Sequence, residues 1–371
     1  MTVNIHTHSI ESPGATEIYI SAAPIESASP AEHAEEIFSG ISEILHSQKA
    51  HIFQERVFAA QDAMEIITHA RSKAYGKFDD GVAPSLLVAK EGLLGPVAGV
   101  QVHAISCENK PEVVNLNEID CGRILHVSGR AYLSLSSISD QQGKETTTHA
   151  QAMMEKAEAA LVKFGADFLS VPRTWMWLKD ILSWYDEFNQ VRNDFFTKRG
   201  LIGAGTRQSM PASTGIGIGP ADGGDCSMDL MAVLEPTDCT KYLQAGGKQQ
   251  SALDYGSAFS RASKTDTPAG QTVFVSGTAS IDADGDTTHI DDAEGQIKAT
   301  IENVCAVLSD MKCIDEDVVQ AIAYCKTTEV ERIFNSFRDT LPWPWITVIC
   351  DICRDDLLFE IEATAMPRKR V

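Results

Sequence analysis

Two glutamates stand two residues apart near the end of the chain, in the segment LLFEIEA at residues 357–363. Strand alternation would put Leu357, Phe359, Ile361 and Ala363 on one face, and Glu360 and Glu362 on the other, about 7 Å apart. A carboxyl group on such a face can be a solvated surface group. If apolar surroundings bury it, its pKa rises and it becomes a general acid near neutral pH. Cys353 precedes Glu360 by seven residues and could approach the same pocket if the intervening chain bends, although a small buried hydrophobe is the plainer role for a cysteine. Neither HExxH nor a clustered histidine or cysteine spacing occurs, so no metal is expected. No organic cofactor is expected either. The ten histidines are scattered and suggest no site.

What must position these groups is a pattern stated three times. Small-residue corners recur at Tyr19–Ile25, His126–Leu133 and Phe274–Ile281, with Ser21, Ser128 and Ser276 at matching places. Amphipathic helices follow from Glu32, Thr148 and Asp291; in the last, Ile297, Ile301, Val304 and Leu308 keep the three-and-four spacing of one buried face. Next come strands at Arg56–Ala60, Arg173–Leu178 and Ala321–Cys325, then a second helix, clearest at Trp184–Phe196. Closing strands begin at Gly99, Met228 and Phe359, that is 129 and then 131 residues apart. The repeat predicts an α+β fold with helices on one face of each sheet, in units spanning 1–120, 121–240 and 250–371. Trp175, Trp177 and Trp184 read as core.

Composition narrows the partners. The chain has 371 residues, 43 % hydrophobic and 22 % charged, with a formal charge of −21. Such a charge repels nucleic acid and anionic membranes, so neither is an expected partner. A small anion would need a local basic pocket. No stretch approaches the 18 or so apolar residues of a membrane span, and the first 30 residues show no signal peptide. Nine cysteines without a disulfide framework fit a reduced, cytoplasmic setting.

The last unit, through FVSGTASI, IENV and FEIEATA, is similar to the YjgF/Rid superfamily, whose units form trimers with ligand sites in the clefts between them. Three joined units would then make an intrachain pseudo-trimer, a monomer or low-order homo-oligomer. The chain resembles the chorismatase family more closely, through PASTGIGIG (211–219), SALDYGSAFSRA (251–262), FVSGTASI (274–281) and CRDDLLFEIEATA (353–365). The resemblance implies an enzyme that cleaves chorismate to pyruvate and a ring acid. Glu360 would protonate the enolpyruvyl group. A cysteine at Cys353 accompanies the branch forming 3-hydroxybenzoate rather than 3,4-dihydroxycyclohexa-1,5-dienoate.

Two substrate carboxylates call for arginine. Arg261 and Arg173 are the candidates, with Arg192 read as a surface salt bridge, Arg354 as the ion-pair partner of Asp355 and Asp356, and Arg207 as a loop residue. Tyr255 could hydrogen-bond the substrate. Thr214 and the Gly215 backbone could donate to a carboxylate, or simply turn into a strand. Thr278 and Ala279 could let substrate approach the backbone. A typical Rid deaminase has an arginine where this chain has Ser213, Thr214 and, in the last unit, Trp345. That departure argues against the alternative of an imine or enamine deaminase. A non-catalytic metabolite-binding protein is the other alternative.

Overall fold

The computed structural model describes residues 1–203, 209–236 and 238–367. Arg207, and residues 368–371 of the basic terminal run, lie outside them. The first unit contains β1 (Val3–Glu11), β2 (Ala15–Pro24), α1 (Pro30–Ser47), β3 (His51–Ala59), α2 (Met64–Tyr75), β4 (Ser85–Val88) and β5 (Val97–Cys107). The middle stretch contains β6 (Glu112–Leu116), β7 (Ile119–Val127), β8 (Arg130–Ile138), α3 (Thr146–Val162), β9 (Arg173–Leu178), α4 (Tyr185–Lys198), β10 (Ala212–Ile216), β11 (Gly219–Pro220) and β12 (Cys226–Glu235). The last contains β13 (Lys241–Leu243), β14 (Ala262–Thr267), β15 (Gly270–Ala279), α5 (Ala293–Asp310), β16 (Val318–Cys325), α6 (Thr328–Phe334), β17 (Trp345–Ile349) and β18 (Phe359–Ala365).

Three sheets result, with the equivalent orders β1-β2-β5-β3-β4, β7-β8-β12-β9-β10 and β14-β15-β18-β16-β17. Short extra strands extend their edges: β6 on β7, β13 on β14, and β11, which crosses over to pair with β4 of the first unit. In each sheet the pair joined by the second helix is parallel, as a helical crossover requires. The rest is antiparallel. The architecture is three tandem α+β units of equivalent topology, arranged within one chain as a pseudo-trimer.

Helices cover one face of each sheet. Ile37, Ile41 and Leu45 of α1 join Ile18, Ile20, Val100 and Val102 in one core, and Ile297, Val304 and Val307 of α5 join Phe359, Ile361 and Ala363 in another. The uncovered faces meet one another, with Phe58, Trp175, Trp177, Ile216, Ile322, Tyr324 and Ile346 in a shared central core. That is where Trp175 and Trp177 lie, as core. Among the described residues no helix is long and apolar enough to cross a membrane, and no group of three His, Cys, Asp or Glu could hold a metal ion.

One expected element is different. HVSGRAYL is a hairpin, with Ser128 at φ 53° and Gly129 at φ 73° between the paired Val127 and Arg130. Two successive positive φ values make the two-residue turn that matches strand twist. The counterpart of Ser276 is therefore not Ser128. It lies on the second strand of that hairpin, at Ser136–Ser137, where β8 bulges against β12 as β15 bulges against β18.

Candidate active site

β18 is the central strand of its sheet, between β15 and β16. Phe359, Ile361, Ala363 and Ala365 pack under α5, so Glu360 and Glu362 face the neighbouring units, on the face that alternation assigns them. Their fates differ. Glu362 accepts from Arg173 Nη2 at 2.9 Å and from Trp175 Nε1 at 3.0 Å, and pairs with Arg56 Nη1 of the first unit at 3.6 Å. Arg56 and Arg173 also stack on the Trp175 ring, at 3.8 and 4.5 Å from its centroid. Burial brings the Arg173 guanidinium down to about 10.

The Glu360 carboxyl has no hydrogen bond among the described residues, and the residue is 4 % exposed. Burial, reinforced by the negative charge of Glu362 and opposed by Arg173 and Arg261, pushes its carboxyl to about 8. That direction favours the protonated form near neutral pH. Gly277, in the β15 bulge, lies against it: a Cβ there would overlap Glu360 Oε1.

Glu360 opens into a cavity of about 110 Å³ between the middle and last units, several times the roughly 10–15 Å³ that one water needs. α4 contributes Tyr185, Asn189 and Arg192, and β10 contributes Ser213 and Gly215. The last unit contributes Tyr255, Arg261, Ala279, Cys353 and Arg354. Arg261, 1 % exposed, donates to Gln250 O at 3.1 and 3.0 Å and to the Tyr255 hydroxyl at 2.7 Å. Arg192, also 1 % exposed, donates to Asn189 Oδ1 at 2.6 Å and lies over the rings of Phe188 and Phe259. Its buried Nε has no partner. Arg354 donates to Gly285 O at 2.8 Å and stands 5.4 Å over the Tyr255 ring. Burial, then the nearby Glu360, pushes the Cys353 thiol to about 12, so it stays protonated.

The structure thus brings Glu360, Cys353, Arg261, Tyr255, Gly215 and Ala279 together. It keeps three expected residues out of the wall. Arg173 lies behind it, bound to Glu362 and to Thr214 Oγ1 at 2.7 Å. Thr214 is fully buried, accepting from Arg173 and from the Gly277 amide at 3.1 Å. Thr278 pairs opposite Ile361, on the helix-covered side, and donates to Ser276 O at 2.9 Å.

Two arginines read otherwise from the sequence do line it. Arg192 is not on the surface, because it shares the buried stripe of α4 with Phe188, Phe195 and Phe196. The three- and four-residue spacing from those phenylalanines was the signal for it. Arg354 turns towards the loop at Gly285 and Thr287 rather than pairing with Asp355 or Asp356.

Residues 249–367 match the family described as Endoribonuclease L-PSP, which defines the last unit by sequence as well as by shape. Beyond that unit, the structure is similar to the crystal structure of a chorismatase: TM-score 0.55, 21 % identity, covering 72 % of this chain and 82 % of that one. Single-unit structures also match, among them the protein YJGH (TM-score 0.29, 21 % identity, 36 % of this chain and 99 % of that one) and the YjgF gene product of E. coli (0.27, 18 %, 34 % and 100 %). No curated protein sequence matches the chain. At such identities the likeness to chorismatase is one of fold.

Proposed function

We propose that this cleft cleaves chorismate, releasing pyruvate and a ring acid. The observation that carries the reading is a carboxylic acid kept neutral at pH 7 in a cavity walled by Arg192, Arg261 and Arg354. Chorismate carries two carboxylates and an enol ether. The guanidiniums offer charge-assisted hydrogen bonds to the carboxylates and counter locally the repulsion of a chain with formal charge −21. Protonating the enol-ether methylene needs an acid still protonated near neutrality, which a carboxyl at about 8 supplies.

The proton passes from Glu360 to the methylene carbon, and the cation forms on the adjacent carbon, stabilised by the ether oxygen. The new Glu360 carboxylate faces that charge. In the hydrolytic branch water adds to the cation, its proton returns to Glu360, and the hemiketal collapses to pyruvate and ring alcohol. That branch consumes one water and gives the dihydroxycyclohexadienoate. The branch to 3-hydroxybenzoate plus pyruvate consumes none. We assign the second, because the neutral thiol of Cys353 stands in the wall with Glu360, where the family resemblance associates a cysteine with hydroxybenzoate formation.

Purified protein incubated with chorismate should release pyruvate, read by coupling to lactate dehydrogenase, with 3-hydroxybenzoate identified by mass and absorbance. No pyruvate would sink the reading. Pyruvate with only the dienoate would overturn the product assignment and leave the cleavage standing.

A further inference from the structure

The cleft between the last and first units repeats the build of the active-site cleft. Phe188-Asn189-x-x-Arg192 within α4 has a counterpart in Phe334-Asn335-x-x-Arg338, which starts on the last residue of α6 and ends in the 3-10 turn Arg338–Thr340 that follows it. Phe188 and Phe334 are both fully buried anchors, and each Asn–Arg pair lines its own cleft. The strands agree. Ile216 pairs with Trp177 and Val348 with Tyr324, which makes Thr347 the counterpart of Gly215, and both line their clefts. Trp177 and Tyr324 in turn pair with Ser227 and Glu360, and the matching Phe58 pairs with Gly99. The second cleft therefore has Gly99 at its rear where the first has its acid.

Its polar groups are available. The Arg338 guanidinium has no hydrogen bond or ion pair among the described residues, and the buried Thr347 Oγ1 has no partner. Other charged groups are already committed. Lys90 pairs with Asp351 at 2.9 Å. Glu331 accepts the Leu93 amide at 2.9 Å and lies in the field of Arg338, but burial still raises its carboxyl pKa, which lessens its competition with an anion for that guanidinium. His6 lies within the field of Arg338. The cavity, about 50 Å³, is half the volume of the first and has one such guanidinium instead of three.

We propose that this second cleft binds a small monocarboxylate on Arg338, with Asn335 and the Thr347 hydroxyl as its other polar contacts, and carries out no chemistry on it. One guanidinium fits one carboxylate, and the smaller cavity favours a small acid over a substituted ring. The site needs nothing from the reaction proposed for the other cleft.

Pyruvate is the probe, titrated against the full chain by calorimetry and ligand-observed NMR. Binding in the millimolar range is expected, weakened about tenfold by Arg338→Ala, the loss of one charge-assisted contact. Thr347→Val should weaken it by a smaller factor and serves if Arg338→Ala melts early. No binding, or binding indifferent to both Arg338→Ala and Thr347→Val, overturns the proposal. Inorganic phosphate displacing pyruvate at equal concentration would overturn the carboxylate class. Pyruvate release from chorismate is read in a separate assay, so either result can fail alone.

Discussion

The cleft between the middle and last units and the cleft between the last and first units share helix, strand and Asn–Arg pair, and differ in what stands at the rear. In one, Glu360 faces an opening kept free by Gly277. In the other, Gly99 sits at φ 152°, and an added Cβ would come within 2.6 Å of Ala22 O and 3.1 Å of the Ile346 side chain. Ile346 takes up the room that a side chain at 99 would need. The walls of a cleft can thus be repeated while the acid is not, because an acid also needs a glycine beside it and a neighbouring charge behind it.

The comparison breaks most sharply at Glu360. Glu360→Gln should bind chorismate but release pyruvate about two to four decades more slowly, bringing the first cleft to the condition of the second. The same variant should change stability in a defined direction. The folded carboxyl titrates near 8 and an unfolded one near 4.5. Between those values the folded state holds the extra proton. This group's stabilising contribution is therefore complete below about pH 4.5 and falls by up to about 1.4 kcal/mol per unit as pH rises to about 8. Melting curves of the wild type should lose stability across that window relative to Glu360→Gln. Near-equal turnover, or parallel pH dependence of melting, would count against a neutral Glu360.

Gly277→Ala is the next test. The added methyl must displace the Glu360 carboxyl, and a misplacement on the order of 1 Å can cost about 10²-fold in turnover. Turnover within a factor of two of wild type would show that Glu360 has freedom to move. The smallest effect belongs to Glu362→Gln. It removes the charge that helps raise Glu360 and leaves Arg173 uncompensated. The alkaline limb of the pH–rate profile, near 8 in the wild type, should move down by about one unit, a change that loss of packing alone would not produce.

Much of the fold was legible because periodicity survives divergence. Alternation in LLFEIEA put Glu360 on the inner face, and three-and-four spacing found α1, α3 and α5. Inter-unit chemistry was harder to read. Arg192 looked like an exposed helical charge, since one of the rings it lies over, Phe259, follows it by 67 residues in the sequence. Arg173 looked like a ligand because its partner, Glu362, is 189 residues away. Ser128 was mistaken for the counterpart of Ser276 because a Ser-Gly turn and a Ser-Gly bulge spell the same two letters.

Arg56 contacts Glu362 from a unit that lends the active-site cavity no wall. A homotrimer of one such unit would carry the same residue at every equivalent place, and so three acids or none. Covalent continuity lifts that constraint. If the cleft acts as proposed, one module supplies the proton, a second the anion-binding helix, and the third only the counter-charge that steadies Glu362, so that a lesion in the remote N-terminal sheet would be read out as a shifted pH optimum rather than as lost affinity.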